Sequence, residues 1–341
     1  MRIGISTAYW PWFTPEQQLQ IAVLADELGL DSVWVSEAWG QDAVSMLGLL
    51  AGRTEHVKLG TAIMQIPARK ATAAAMAAAS VDVLSGGRMI LGLGPSGPQV
   101  SEGWYGEPFA KPLARTRAYV DTIRRALAGE KLPVQLPEGV EGSGLGKELR
   151  LLGRPVQQHI PIFLGATAPK GLEQCGTIAD GWIGVFMDPS RPEVAITPVT
   201  DAVAAAGRAR EDFTVSLLTP TSVAATVEEA VENVKPWVTF YLGAMGAKDK
   251  NFYVELADRY GYGDAAREVQ ERYLAGDRVG AAAALPEDLV RSVTVATDEA
   301  GLPGRLAELA GAGVDLVIAI PCGDPLATVR ALAAANRTLP A

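Results

Sequence analysis

KLGTAIMQIPARKATAAAMAAASVDVLSGGRMILGLGPSGPQVSEGWYG, residues 58–106, decides how the rest of the chain is read. Residues 58–64 and 89–94 are short apolar runs of strand type, and the alanine-rich segment between them reads as a helix. After each strand come small, polar and permissive residues: first QIPAR, then a loop of Gly, Pro, Gln and aromatics. In parallel α/β architectures ligands sit beyond the carboxyl ends of strands, so this unit marks a binding face.

The same alternation runs outward in both directions. Further strands are expected at 2–7, 32–36, 161–165, 181–185, 213–219 and 315–320. Thr14-Pro15-Glu16-Gln17 opens the first helix with a Thr cap, Pro at the first helical position and a Gln that closes a capping box. Ile21, Leu24, Ala25 and Leu28 then repeat at helical spacing until Gly29. Eight short buried strands separated mostly by helices predict an α/β fold of the (β/α)8 (TIM) barrel type, one domain over residues 1–341. A standard barrel needs about 250 residues. The surplus is expected in a Gly/Pro-rich excursion at about 133–154 and a mainly helical insertion at about 224–289, before the last strand. The insertion opens with a second capping box, Thr226 and Glu229, and carries no strand signal.

A net charge of −9 weighs against nucleic acid as a partner, because that binding rests on a basic face. An acidic protein still holds an anion locally through backbone N–H groups. Cys175 and Cys322 stand far apart with no CxxC pair, which argues against a disulfide framework or a zinc site. The first residues run straight into an apolar strand, and the alanine runs at 71–79 and 281–284 are too short to span a bilayer. These features predict a cytoplasmic, enzyme-like protein with a small-molecule substrate and no membrane partner.

Residues just after strands lie on the catalytic face of such a barrel, and residues just before them on the stabilising face. His56 and His159 both precede strands. That excludes a His-based triad or an H-E-x-x-H metal site, and no metal is expected. Gly92-Leu93-Gly94-Pro95-Ser96-Gly97 matches G-x-G-x-x-G formally, but Pro95 lacks an N–H for a pyrophosphate. No regular helix is expected from Pro98, and no acidic residue follows at the required spacing. Small residues there instead let backbone approach a flat ligand, with Gln99, Ser101, Glu102, Trp104 and Tyr105 around it.

The turn Gly165-Ala166-Thr167-Ala168-Pro169-Lys170 has two readings. Free N–H groups at a helix start, the Thr167 hydroxyl and the Lys170 ammonium would together hold a phosphate. An ordinary βα turn with a solvated lysine has the same composition. Arg69, Lys70, Lys111 and Arg115 put several cations near one rim, for which scattered surface charge is the usual explanation. Tyr9, Trp10, Trp12, Phe13 and Trp39 follow the first two strands and suggest an apolar wall. Glu37, just after the second strand, is the carboxylate best placed for acid/base or orienting work; a structural ion pair is the alternative.

SVWVSEAWGQDAV, KLGTAIMQIPAR, LSGGRMILGLGPSGPQVSEGWYG, IADGW and GAMGAKDKNF together resemble the bacterial luciferase-like monooxygenase superfamily, most of all its coenzyme F420-dependent oxidoreductase branch. The resemblance implies a barrel with an insertion, often a homodimer, binding F420 or FMN at the carboxyl ends of the strands. It implies a non-prolyl cis peptide at Ala62-Ile63 behind the cofactor ring. Ring and tail contacts carry over to Glu37, Ala62, Ile63, Met64, Gly97, Gln99 and Val100, and phosphate contacts to Gly165, Ala166, Thr167 and Lys170. The sugar-phosphate dehydrogenase branch has a His and an acidic residue where this chain has Ala38 and Pro98, so that substrate is not implied. The expected activity is hydride transfer between the deazaflavin C5 and an organic substrate, with Glu37 as the catalytic carboxylate. Two alternatives share the fold: an FMN-dependent two-component monooxygenase and a non-catalytic protein that binds a flavin or deazaflavin.

Overall fold

A computed structural model describes residues 1–8, 12–134, 136, 139–246 and 250–337. Its ten strands are β1 (Arg2–Ser6), β2 (Ser32–Val35), β3 (Lys58–Thr61), β4 (Met64–Gln65), β5 (Met89–Gly94), β6 (Ile162–Gly165), β7 (Gly181–Val185), β8 (Thr214–Ala224), β9 (Val295–Asp298) and β10 (Leu316–Pro321). Eight of them pair in parallel in the order β10-β1-β2-β3-β5-β6-β7-β8, and β10 pairs back onto β8, which closes a (β/α)8 barrel. Closure leaves no exposed edge. Helices between successive strands bury their apolar faces against the outside of the barrel; the first presents Ile21, Leu24 and Ala25 inward. That helix starts as its sequence dictates, with both bonds of the Thr14–Gln17 capping box formed and Pro15 in its first turn.

Two differences from the expected strands matter. The third strand does not run through to residue 64. It stops at Thr61, a cis peptide bond joins Ala62 to Ile63, and β4 resumes pairing with β5. The seventh is longer than expected, and its distal half, Thr221–Ala224, pairs with β9. Four residues, Val-Ala-Thr-Asp, were too few to signal a strand at β9 without that partner.

Among the described residues, five helices lie between β8 and β9, from Val227–Ala244 to Glu287–Val293. Thr226 caps the first through the Glu229 N–H. The described part of the 133–154 excursion is mostly exposed and is closed at its base by a bridge between Leu132 and Leu149. No helix among the described residues is long and apolar enough to cross a membrane.

At the amino ends of the strands, carboxylates organise backbone. Asp26 accepts from the N–H groups of Glu55, His56 and Val57 at the entry to β3. Asp180 accepts from Ile162 N–H and lies 3.0 Å from the His159 ring. Both histidines therefore belong to the stabilising face.

Candidate active site

The site begins with what fills the barrel. Trp34 of β2 and Phe163 of β6 lie 5.7 Å apart although two strands, β3 and β5, separate theirs, so both rings point into the barrel interior. Side chains alternate along a strand, so Gly165, two residues after Phe163, faces the interior as well. A Cβ on Gly165 would meet Ile63 at 3.2 Å, and one on Gly94 would meet it at 2.7 Å. Ile63 therefore reaches from its turn past the end of β5 to the end of β6. It lies across the barrel mouth, in space that only glycine at 94 and 165 leaves open.

The turn that presents Ile63 is held by the end of β2. Ser36 Oγ donates to the Ala62 carbonyl at 2.9 Å and Glu37 N–H to the Ile63 carbonyl at 3.3 Å. The Glu37 carboxylate, 3% exposed, accepts from Gln65 N–H at 2.9 Å and Ala43 N–H at 3.4 Å. It also receives both guanidinium nitrogens of Arg69, at 3.1 and 2.5 Å. Arg69 donates in addition to Asp42, which caps the helix Ala43–Ala51. Burial opposes the charge on Arg69, but the hydrogen bond and charge of Glu37, joined by Asp42, hold its pKa above the ordinary guanidinium value. Burial pushes the Tyr105 phenol upward, with the Glu37 charge adding to it.

Met64 and Gln65 alternate. Gln65 is in register with Gly94, so its side chain shares the mouth face, and Met64 is fully buried on the opposite side. Gln65 is 6% exposed, and its Oε1 has no hydrogen-bond partner among the described residues.

Beyond β5, the structure corrects one expectation. Pro98 does open a helix, Pro98–Gly103, and occupies its first turn, where a missing N–H costs nothing. Gly97, Gln99 and Val100 sit at its start, Gln99 exposed. Ser101 and Glu102 hold their own loop, through the Glu107 carbonyl and the Phe109 N–H. The rim cations divide: Arg69 belongs to Glu37, while Lys70 and Arg115 both pair with Glu107.

At β6, Gly165, Ala166 and Thr167 lead into the helix Pro169–Ile178, with Pro169 in the first turn and no side-chain cap. In that first turn Pro169 has no N–H, the Gly171 and Leu172 N–H groups donate to the Ala168 carbonyl, and the Lys170 side chain is exposed. The loop is braced from behind: Trp182 Nε1 donates to the Ala166 carbonyl at 2.9 Å. Arg259, from the insertion, donates to the carbonyls of Thr167 and Val194. Nothing in the sequence connects positions 259 and 167, so this brace was invisible there, as were the Asp42 partner of Arg69 and the unpaired Gln65.

Trp12 stacks on Trp237 of the insertion at 4.3 Å, and Phe13 is in the core. Tyr9 and Trp10 lie outside the described residues. A groove of about 720 Å³ opens between the β2 loop and the insertion, lined by Trp12, Ala38, Trp39, Phe240, Tyr273 and Val279 among others. Ala38 follows Glu37 directly, so the groove adjoins the mouth.

The profile of the luciferase-like monooxygenase family matches residues 1–316. A Mycobacterium tuberculosis protein provisionally named a coenzyme F420-dependent oxidoreductase is 38% identical over 328 residues, covering 93% of this chain and 94% of its own. A 5,10-methylenetetrahydromethanopterin reductase of Methanolobus tindarius is 28% identical over 311 residues, 89% of each chain. The solved coenzyme F420 dependent tetrahydromethanopterin reductase from Methanopyrus kandleri shares the fold, with a TM-score of 0.83 over 97% of each chain at 24% identity. The profile match over residues 1–316 and a relative 38% identical over 93% of the chain show that this chain belongs to the luciferase-like monooxygenase family.

Proposed function

We propose that the protein is a coenzyme F420-dependent oxidoreductase that moves a hydride between C5 of the deazaflavin ring and a small organic substrate. The observation that carries this reading is Ile63 laid across the mouth between Gly94 and Gly165, an apolar platform for one face of a flat ring. The names of the relatives point the same way. When bound, the deazaflavin supplies a two-electron carrier. The chain's own residues do the rest. Ala62, Ile63 and the Met64 backbone support the ring, and Gly97, Gln99 and Val100 line its edge. The open N–H groups after Gly165, with Thr167 and Lys170, hold the tail phosphate.

Glu37 acts here by orienting. Both its oxygens are already engaged, and one of them fixes the Gln65 N–H directly after the platform. No nucleophile is required, in keeping with chemistry carried by a cofactor. Substrate approaches through the apolar groove beside Ala38, which also keeps water from the hydride path.

Titration of the purified protein with F420 and with FMN, followed by fluorescence quenching, tests the cofactor. Tight F420 binding is expected; tight FMN binding with weak F420 binding would turn the assignment to a two-component monooxygenase. The substrate route is tested by oxidation of reduced F420 against a panel of apolar ketones, imines and enones. Ala38→Trp should raise KM about tenfold or more, as a blocked pocket does, while F420 affinity is kept. Turnover unchanged by that substitution rules the groove out.

A further inference from the structure

The groove beside Ala38 has Trp12, Trp39, Phe240 and Val279 among its walls, and Arg278 is the one charged residue among the described residues that line it. The guanidinium is held in place. Its carbon lies 4.0 Å above the centre of the Tyr273 ring, and Nη1 donates to the Tyr273 hydroxyl at 2.7 Å. Tyr273 in turn packs against the helix Val227–Ala244, where only glycine at 243 leaves room for its ring. Among the described residues no carboxylate is in ion-pair contact with Arg278, although Arg267, Arg272 and Arg291 of the same insertion each pair with one. Asp277, next to it in the chain, is committed to Arg272 and to the Gly280 N–H. A chain of net charge −9 thus keeps an unanswered cation at the rim of its apolar groove.

We propose that Arg278 determines specificity by binding a carboxylate of the substrate, which makes the substrate class an apolar organic acid. The bond to Tyr273 uses one of the five guanidinium donors, and the others have no partner among the described residues. A planar guanidinium takes a carboxylate through two parallel N–H···O bonds, and stacking on a fixed ring sets its plane before the ligand arrives. The aromatic and aliphatic walls bury the body of such a molecule. Its acid end stays at the exposed rim, where little desolvation has to be overcome. An acid group held there also fixes which end of the molecule is free to reach the mouth. The inference rests on the function proposed above and narrows its substrate from any apolar ketone, imine or enone to one that carries a carboxylate.

Calorimetric titration of the F420-loaded protein with cinnamate, 3-phenylpropionate and cyclohexanecarboxylate, each beside its neutral primary amide, reads the charge preference at nearly constant shape. At least one acid should bind about tenfold more tightly than its amide, the effect of one charge-assisted pair. Raising the salt concentration should shrink that preference. Arg278→Gln should bring acid and amide to equal affinity while F420 affinity and melting temperature hold, since the side chain is exposed at the rim. Arg278→Lys should restore part of the preference, being a charge without the fork. A wild type that prefers no acid over its amide would overturn the proposal, as would a preference that survives in Arg278→Gln. Loss of stability in Arg278→Gln with the acid preference intact would make the stack on Tyr273 a packing contact only, and weakened F420 binding in its place would assign Arg278 to the cofactor; either result overturns the proposal. If the wild type quenches neither F420 nor FMN, the cofactor reading fails and the substrate class with it; if it binds F420 and prefers no acid, only the Arg278 assignment does.

Discussion

Arg69→Leu should destabilise the protein by about 3–5 kcal/mol, the loss typical of removing one member of a buried ion pair. The reason lies in what is left behind. Glu37, with a side chain 3% exposed, would keep two backbone N–H partners and no counter-charge. Glu37→Gln should cost less, because Arg69 retains Asp42, whose side chain is 46% exposed and already bonded to it at 3.0 Å. Denaturant unfolding of the two variants reads this order directly, provided the slope m is unchanged. The same experiment carries a functional arm: both variants should weaken F420 binding, since the Gln65 N–H and the helix at Ala43 share the Glu37 carboxylate. Stability and cofactor affinity both unchanged in Glu37→Gln would remove Glu37 from the site altogether. A more damaging Glu37→Gln than Arg69→Leu would show that the guanidinium, not the carboxylate, is the expensive group to strand.

Gly92→Ala is expected to rank beside it. A methyl there would sit 1.8 Å from the Thr61 carbonyl oxygen and 2.9 Å from Ile183 Cδ1. The Thr61 oxygen is backbone at the last residue of β3 and cannot swing aside. Thr61 Oγ1 moreover donates to the Gly92 carbonyl at 2.7 Å and accepts from its N–H at 2.9 Å, a clasp that holds β3 and β5 together just below the platform. Relief means prying those strands apart, at or above the upper end of the roughly 1–3 kcal/mol usual for overpacking. Displacing β3 also displaces Ile63, so F420 affinity should fall with stability. Gly97→Ala is the control. Its Cβ would meet nothing within 4 Å, and such changes usually fall within about 0.5 kcal/mol. If Gly92→Ala melts like Gly97→Ala, β3 and β5 are not locked as described.

The barrel was legible because its strands are short, apolar and punctuated by capped helices, and such signals are local. Met89–Gly94 and Gly181–Val185 form with the bounds their residues suggest. The elements that deviate are those whose conformation is set from a distance. β9 exists because the far half of β8 offers it a parallel partner. The helix at Pro98 was missed because proline was weighed as a lost donor and not as a first-turn residue. At the site, the sequence brought out the loops but not the allegiances within them. Glu37 reads equally as acid, base or ion-pair partner until Arg69 is seen 32 residues away in the chain and in contact with it. Arg69, Lys70 and Arg115 read as one basic rim, yet they split between two carboxylates. Gln65 carried no signal, because the absence of a partner is a property of packing.

Arg259 bears on how this barrel can be re-engineered. The helices between β8 and β9 look like an exchangeable cassette, since they join the barrel only through the ends of two strands. They are not one. The guanidinium of Arg259 crosses to the loop that precedes the helix Pro169–Ile178 and holds its Thr167 carbonyl, together with that of Val194. Grafting another insertion onto this scaffold therefore carries an obligation unrelated to the groove it is meant to reshape: a donor must reach the same two carbonyls, or the loop after β6 loses its outer brace.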